Sequence, residues 1–214
     1  VPPEVEVLTA IDYTWTAQNG ASLLNYTTSG SAGFFWFYNP NATAYTEVSD
    51  MATYGSVLFG TTTGEGMRAG CGSSSETFSA FSCGDIRASN ASFSCAPTDW
   101  AGLFKNFGTL GHKAKSATFI VGFDRVQAIQ YLNKTQTGFY RTKWPTVPEA
   151  VEYVLEDYES VYASSLAFDA DVRTRAEAVS PTFGSKYADI VEASVRQTFG
   201  GMDLTVGITA LKQD

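Results

Sequence analysis

The chain has one histidine, His112, and only three cysteines in 214 residues. A single imidazole excludes multi-histidine metal cages and leaves any serine–histidine–aspartate relay with one possible base. No Gly-x-Ser-x-Gly elbow accompanies it, and a lone histidine in a Gly/Lys loop reads as solvated rather than catalytic. Basic charge is scarce too: 14 Lys and Arg face 22 Asp and Glu, a net charge of −8. Phosphate backbones and anionic lipid surfaces repel such a chain, so neither nucleic acid nor membrane is an expected partner. Long apolar runs are missing, with nothing near the roughly 20 residues that span a bilayer. The first residue is Val rather than Met, with no charged and then apolar leader before it, so a processed or excised chain is expected. What is present is a core: 44% hydrophobic and 14% aromatic residues exclude intrinsic disorder, and the length allows one or two structural units.

Cys71, Cys83 and Cys95 lie twelve residues apart in a Gly/Ser-rich stretch, which does not match the short Cys-x2-Cys pairs of zinc sites. One disulfide among the three is expected, with one cysteine left over; spacing does not choose the pair. Four of the seven asparagines head glycosylation sequons: Asn25, Asn41, Asn90 and Asn133. Ser and Thr make up about a fifth of the chain, so chance places roughly one or two by the three-residue rule. The excess points to a secreted, extracellular glycoprotein.

Along the chain, Val5, Val7, Ile11, Tyr13 and Trp15 fall on odd positions between polar residues, the period of a strand with one wet face. Asn19-Gly20 is a turn signal, and five consecutive aromatics, Phe34 to Tyr38, make a strand covered on both faces or an aromatic platform. Further strands are expected at Tyr45 to Val48, Tyr54 to Thr61, Ala117 to Phe123 and Ala128 to Leu132. Between Thr62 and Pro97 the Gly, Ser, Ala and Cys text shows little periodicity and reads as long loops pinned by the disulfide. At Thr146 the character changes: Thr146 and Glu149 form a capping box, and apolar residues from Val151 to Leu166 then repeat at three and four. A more polar helix follows at Ala167 to Val179, ended by Ser180-Pro181, and a third runs to Phe199 before Gly200-Gly201. Strands first and helices afterwards predict an α+β chain, divided as a β-sandwich region over 1–145, helices over 146–200 and a tail over 201–214.

No constellation in this text is a self-sufficient active site, and no catalytic, cofactor-binding or metal-ligating residue is assigned. The glycine pairs at 64–66 and 70–72 lack a P-loop Lys, and Asp169-Ala170-Asp171 lacks the sixth-position Gly and twelfth-position Glu of a calcium loop. Trp15, Trp36, Trp100 and Trp144 are the residues through which a stand-alone sandwich of this composition would stack carbohydrate.

One segment is more specific. Tyr187-Ala188-Asp189-Ile190, continuing through Ser194-Val195-Arg196-Gln197-Thr198-Phe199, resembles the Tyr-x-x-Ile-x-x-x-(Ser/Thr)-Val-Arg-Gln-x-Phe helix of the secreted fungal glutaminase A family. Tyr54-Gly55 with Leu58 to Thr61, Trp100 with Phe104 and Gly108, Phe119 to Gly122, Ala128 to Tyr131 and the Asp157-Tyr158 pair resemble further pieces in the same order. The resemblance implies an antiparallel, supersandwich-type β-domain followed by a helical carboxy-terminal segment that leads into an (α/α)6 toroid. It also implies cofactor-free hydrolysis of L-glutamine to glutamate and ammonia in the complete family. This chain would then be the non-catalytic, mostly β portion, whose partner is the remaining fragment or domain of the same protein. The stripe Ile190, Val191, Val195 and Phe199 is expected to need a covering surface.

Overall fold

Phe34, Phe35 and Phe37 are all completely buried although they alternate between two faces of one strand, so that strand must be covered on both sides. In the computed structural model, which describes residues 4–12, 14, 23–49, 51–83, 88–89, 93–180 and 182–207 (backbone only at 81–83 and 88–89), two different layers do the covering. The elements run β1 (Glu4–Ile11), β2 (Leu23–Ser29), β3 (Ala32–Tyr38), β4 (Glu47–Val48), β5 (Met51–Ala52), β6 (Ser56–Thr62), β7 (Met67–Gly72), α1 (Ser74–Cys83), β8 (Ala88–Ser89) and β9 (Phe93–Cys95). They continue with β10 (Trp100–Thr109), β11 (Phe119–Asp124), β12 (Ile129–Tyr131), β13 (Lys134–Gly138), a 3-10 turn (Phe139–Thr142), α2 (Val147–Glu156), α3 (Tyr158–Val179), α4 (Gly184–Gly200) and β14 (Thr205–Gly207).

The chain divides into two units. The larger takes in Val1–Leu155 and Thr205–Asp214. Within it a four-stranded sheet, β1-β10-β7-β8, faces a five-stranded sheet, β11-β6-β3-β2-β9. The strand pairings are antiparallel. Ile11, Ala69, Ala101 and Leu103 from the first sheet meet Leu24, Tyr26, Phe35, Phe37, Val57 and Phe59 from the second, which makes the pair a β-sandwich. On the outer face of the second sheet Ala32, Phe34 and Leu58 receive Val147, Val151 and Leu155 of α2. The five-aromatic run is therefore core on both faces rather than a surface platform.

Each cover is anchored locally. The Thr146 N–H and hydroxyl both donate to Glu149 Oε2, at 3.0 and 2.7 Å, so the expected capping box opens α2. One turn on, Glu152 Oε1 accepts the Ser31 N–H at 3.1 Å, tying the helix to the β2–β3 hairpin. Gly30 in that hairpin has φ +49°, and a Cβ there would fall on the Glu152 carboxylate, so the turn needs glycine for both conformation and space.

The stretch from Thr62 to Pro97 corrects the loop expectation. It contains β7, α1, β8 and β9, with β7 a full partner of β10. Ala69, Gly70 and Gly72 carry no large side chains, so periodicity is silent, yet all three are buried. α1 starts at a second capping box: Glu76 Oε2 accepts from the Ser73 N–H at 2.8 Å and from its hydroxyl at 2.7 Å. Its Ala80 packs on Phe104 and Leu8, covering the outer face of the first sheet. That cover also explains β1, where even-numbered Leu8 is half-buried and odd-numbered Val7 exposed. A register irregularity between Glu4 and Glu6 accompanies this departure from a single wet face. The strand expected over Tyr45 to Val48 is reduced to Glu47–Val48, paired with Met51–Ala52. The expected signals at Asn19-Gly20, Tyr13 and Trp15 lie outside the described residues.

The second unit, Glu156–Leu204, holds α3 and α4. The periodic run read as one helix to Leu166 instead breaks at Asp157, and α3 is continuous through the boundary expected at Ala167. Val172 and Ala176 of α3 and Ala188 of α4 are buried, Phe168 meets Phe199 edge-on at 5.9 Å, and Arg173 bonds Asp189 and Glu192 at 3.2 and 2.9 Å. α4 ends at Gly201, whose N–H returns to Gln197 O, as the Gly200-Gly201 signal predicts. After α4 the chain re-enters the larger unit, where β14 pairs with β13 beside β12. The whole is an α+β chain: antiparallel sheets, then a helical carboxy-terminal segment.

Candidate functional site

A cleft of the larger unit with mostly apolar walls lies where β11, at one edge of the second sheet, passes the start of α2. It encloses about 540 Å³. Leu58, Ile120, Val147 and Val151 line it beside Val121, Phe123, Trp144 and Val154, of which Val121, Phe123 and Val154 are about half exposed. The lining residues with polar side-chain atoms are Asp124, Tyr140 and Trp144. Trp144 stacks on Tyr153 with ring centroids 4.0 Å apart, and the Lys143 ammonium lies 4.4 Å from one ring centre and 4.6 Å from the other. Arg125 similarly covers the rings of Tyr54 and Phe123.

Asp124 is buried at the end of β11. Its Oδ1 accepts both the Tyr140 hydroxyl and Arg141 Nη2, the latter at 2.5 Å, and Arg141 Nη1 donates to Pro145 O at 3.0 Å. The ion pair is almost fully enclosed, with side chains 11% and 6% exposed. Burial, together with the hydrogen bond and charge of Asp124, pushes the Tyr140 phenol up to about 12. Burial works against the Arg141 charge, but the Asp124 carboxylate outweighs it and the guanidinium is held above its ordinary value.

The other sequence-assigned residues are scattered. Cys71 and Cys95 form a disulfide at 2.04 Å across the sandwich core, joining β7 of one sheet to β9 of the other. Cys83 is in the last turn of α1, where only the backbone is described. Asn41 sits in an exposed turn and Asn133 at an exposed hairpin tip, Asn25 is half-buried within β2, and Asn90 lies outside the described residues. His112 is exposed in the loop between β10 and β11. Trp36, Trp100 and Trp144 are half-buried, and of these Trp144 lines the cleft. A second cleft of about 590 Å³, beside Glu4, Glu65, Lys105, Asn106 and Lys115, is polar. Both its lysines already bond main-chain carbonyls, Lys105 to Glu65 and Lys115 to Phe107. Among the described residues no cluster of three or more His, Cys, Asp or Glu could hold a metal ion, and no helix is long and apolar enough to cross a membrane.

The family model for a domain of unknown function, DUF5127, matches residues 2–175. The chain belongs to the DUF5127 family. No curated protein and no solved structure matches it.

In this DUF5127 domain the Asp124–Tyr140–Arg141 group went unseen in the sequence. Its members are 16 and 17 residues apart, on a strand and a 3-10 turn, and no local motif announces them. Chemically it is a latch. Tyr140 stays protonated at neutral pH, and Asp124 Oδ1 accepts from both of its partners. The group locks the 3-10 turn against the β11 end and thereby sets where Trp144 and α2 begin.

Proposed function

We propose that this chain is the non-catalytic β-domain portion of a secreted glutaminase A-like amidohydrolase, with the sandwich as scaffold and α3–α4 as the connection to the helical part that carries the chemistry. The observation that supports the reading most is the surface of α3–α4. Tyr158, Val161, Tyr162 and Leu166 on α3 and Tyr187 and Ile190 on α4 are exposed, Ile190 at 64%. A helical pair that buries three small or medium side chains and leaves this much apolar surface in water fits a larger body. The α4 sequence, Tyr187 to Phe199, is also the segment with the most specific resemblance to that family. In this reading the missing partner is the remaining domain or fragment of the same protein.

A rival reading is a stand-alone carbohydrate-binding sandwich, favoured by Trp144 in the cleft. Its walls are mostly apolar side chains, however, and the Asp124 carboxylate and Tyr140 hydroxyl are bonded to each other, so a sugar's hydroxyls would find few side-chain partners. The test is native mass spectrometry of the protein as isolated, with glutamine hydrolysis assayed in parallel. The scaffold reading expects a heavier complex that separates into this chain and a second polypeptide, with turnover only in the complex. Turnover by the pure 214-residue chain would overturn it, and a lone chain with a millimolar or tighter sugar affinity would establish the rival.

A further inference from the structure

Three sequons fall on described residues, and the fold treats them differently. Asn133 is the second residue of the two-residue loop joining β12 to β13, with Tyr131 paired to Lys134 across it. Leu132 and Asn133 have φ +48° and +61°, the signature of a type I′ hairpin turn. Asparagine tolerates that conformation; leucine does so only under strain. Leu132 is 77% exposed and Tyr131 60%, so the hairpin tip presents two large apolar side chains to water beside the sequon. Asn41 is equally accessible: it follows β3 in an exposed turn in which its N–H bonds Asn39 Oδ1 at 2.8 Å, leaving its own amide free of the sheet.

Asn25 is the contrast. It lies within β2, which is paired on both sides, opposite Trp36 of β3 and Ser94 of β9. Leu24 and Tyr26 point into the sandwich core, so Asn25 points to the outer face that it shares with Trp36, and its side chain is half-buried there. The neighbouring positions of that face, Phe34 and Leu58, are the ones α2 covers. A branched oligosaccharide on Asn25 would have to start from a half-buried side chain inside a strand paired on both sides.

We propose that Asn133 and Asn41 are N-glycosylated and Asn25 is not, with the Asn133 glycan shielding Tyr131 and Leu132. The transfer joins Asn Nδ2 to the anomeric carbon of a lipid-pyrophosphate-linked oligosaccharide. The sugar–phosphate bond breaks, the lipid pyrophosphate departs with its electron pair, and the amide gives up one proton to the transferase. The assignment rests on the secretory reading above, because the donor lipid is met only in the secretory pathway.

The experiment is expression of the full chain behind a secretion signal in a fungal host, then enzymatic deglycosylation in heavy-oxygen water and peptide mass spectrometry. Label at residues 133 and 41 with none at 25 is the expected pattern. Label at 25, or none at 133, overturns the assignment. Protein recovered from the medium with no labelled sequon also overturns it while leaving secretion intact, whereas protein that never leaves the cytosol sinks the secretory reading instead. Two variants separate shielding from turn geometry. Asn133→Gly relieves the positive φ but removes the sugar, and Thr135→Ala removes the sugar while keeping Asn133. If the glycan shields the tip, both bind more of a hydrophobic dye than the wild-type protein. If neither does, the sugar has no shielding role.

Discussion

Removing the Asp124 carboxylate is the sharpest perturbation this structure offers. Asp124→Ala leaves the Arg141 guanidinium, its side chain 11% exposed, without its carboxylate, held by the Pro145 carbonyl and beside the Tyr140 ring. Arg141 Nε is already buried with no acceptor. Breaking a buried pair from one side costs about 3–5 kcal/mol. With a urea slope of about 2 kcal/mol/M, the unfolding midpoint of the larger unit should fall by about 2 M. Trp144, three residues from Arg141, makes tryptophan fluorescence the natural readout. Asp124→Asn keeps an acceptor of the same shape and should lose less, about 1.5–3 kcal/mol for weakened bonds to a charged donor. The double variant Asp124→Leu/Arg141→Met removes both charges and should return to within about 1 kcal/mol of the wild type. A loss below about 1 kcal/mol in Asp124→Ala would refute the latch, as would a double variant as unstable as the single.

The remaining predictions concern separate parts of the fold. Because the folded Tyr140 phenol titrates near 12 and the unfolded one near 10, its contribution is fully present below pH 10 and is lost as pH rises toward 12. After discounting for partial solvent exposure, the loss is about 1–2 kcal/mol, and Tyr140→Phe should reduce the slope in alkaline urea titrations by that amount, burial of Tyr26 and Tyr54 contributing the rest. Reducing Cys71–Cys95 opens a loop of 24 residues and should lower stability by about 3 kcal/mol, measured with and without reductant; no change would mean the loop is equally constrained without it. Ile190→Glu, at an exposed position, should alter the stability of this chain by less than about 0.5 kcal/mol; under the proposed scaffold function it should also abolish association with a second polypeptide in native mass spectrometry. Ala188→Leu, at a fully buried position, should instead cost about 1–3 kcal/mol by overpacking α3 against α4.

Elements whose signals are local were legible without coordinates. The Thr146–Glu149 box opens α2 because a hydroxyl and a carboxylate three residues apart satisfy orphan N–H groups wherever they occur. Gly200-Gly201 stops α4, and the Phe34 to Tyr38 run is a strand covered on both faces because only two apolar layers can bury alternating aromatics. The α+β order followed from where period two gives way to period three and four. The Ser73–Glu76 box and the Gly30 hairpin were equally local, but a background of Gly, Ser and Ala without apolar rhythm hid them.

What only tertiary structure decided is everything that depends on which strands become neighbours. Cys71 pairs with Cys95 because β7 and β9 end up on facing sheets, a relation no spacing encodes. Asp124, Tyr140 and Arg141 meet because the chain returns past the edge of the second sheet through a 3-10 turn, bringing a buried charge and its partner together over 17 residues. Asn25 and Asn133 carry the same three-residue signal, and only the pairing around each sets one inside a doubly paired strand and the other at an open tip. Local chemistry fixes what a segment can become; long-range packing, whose energy exists only once distant segments touch, fixes what each residue is able to reach.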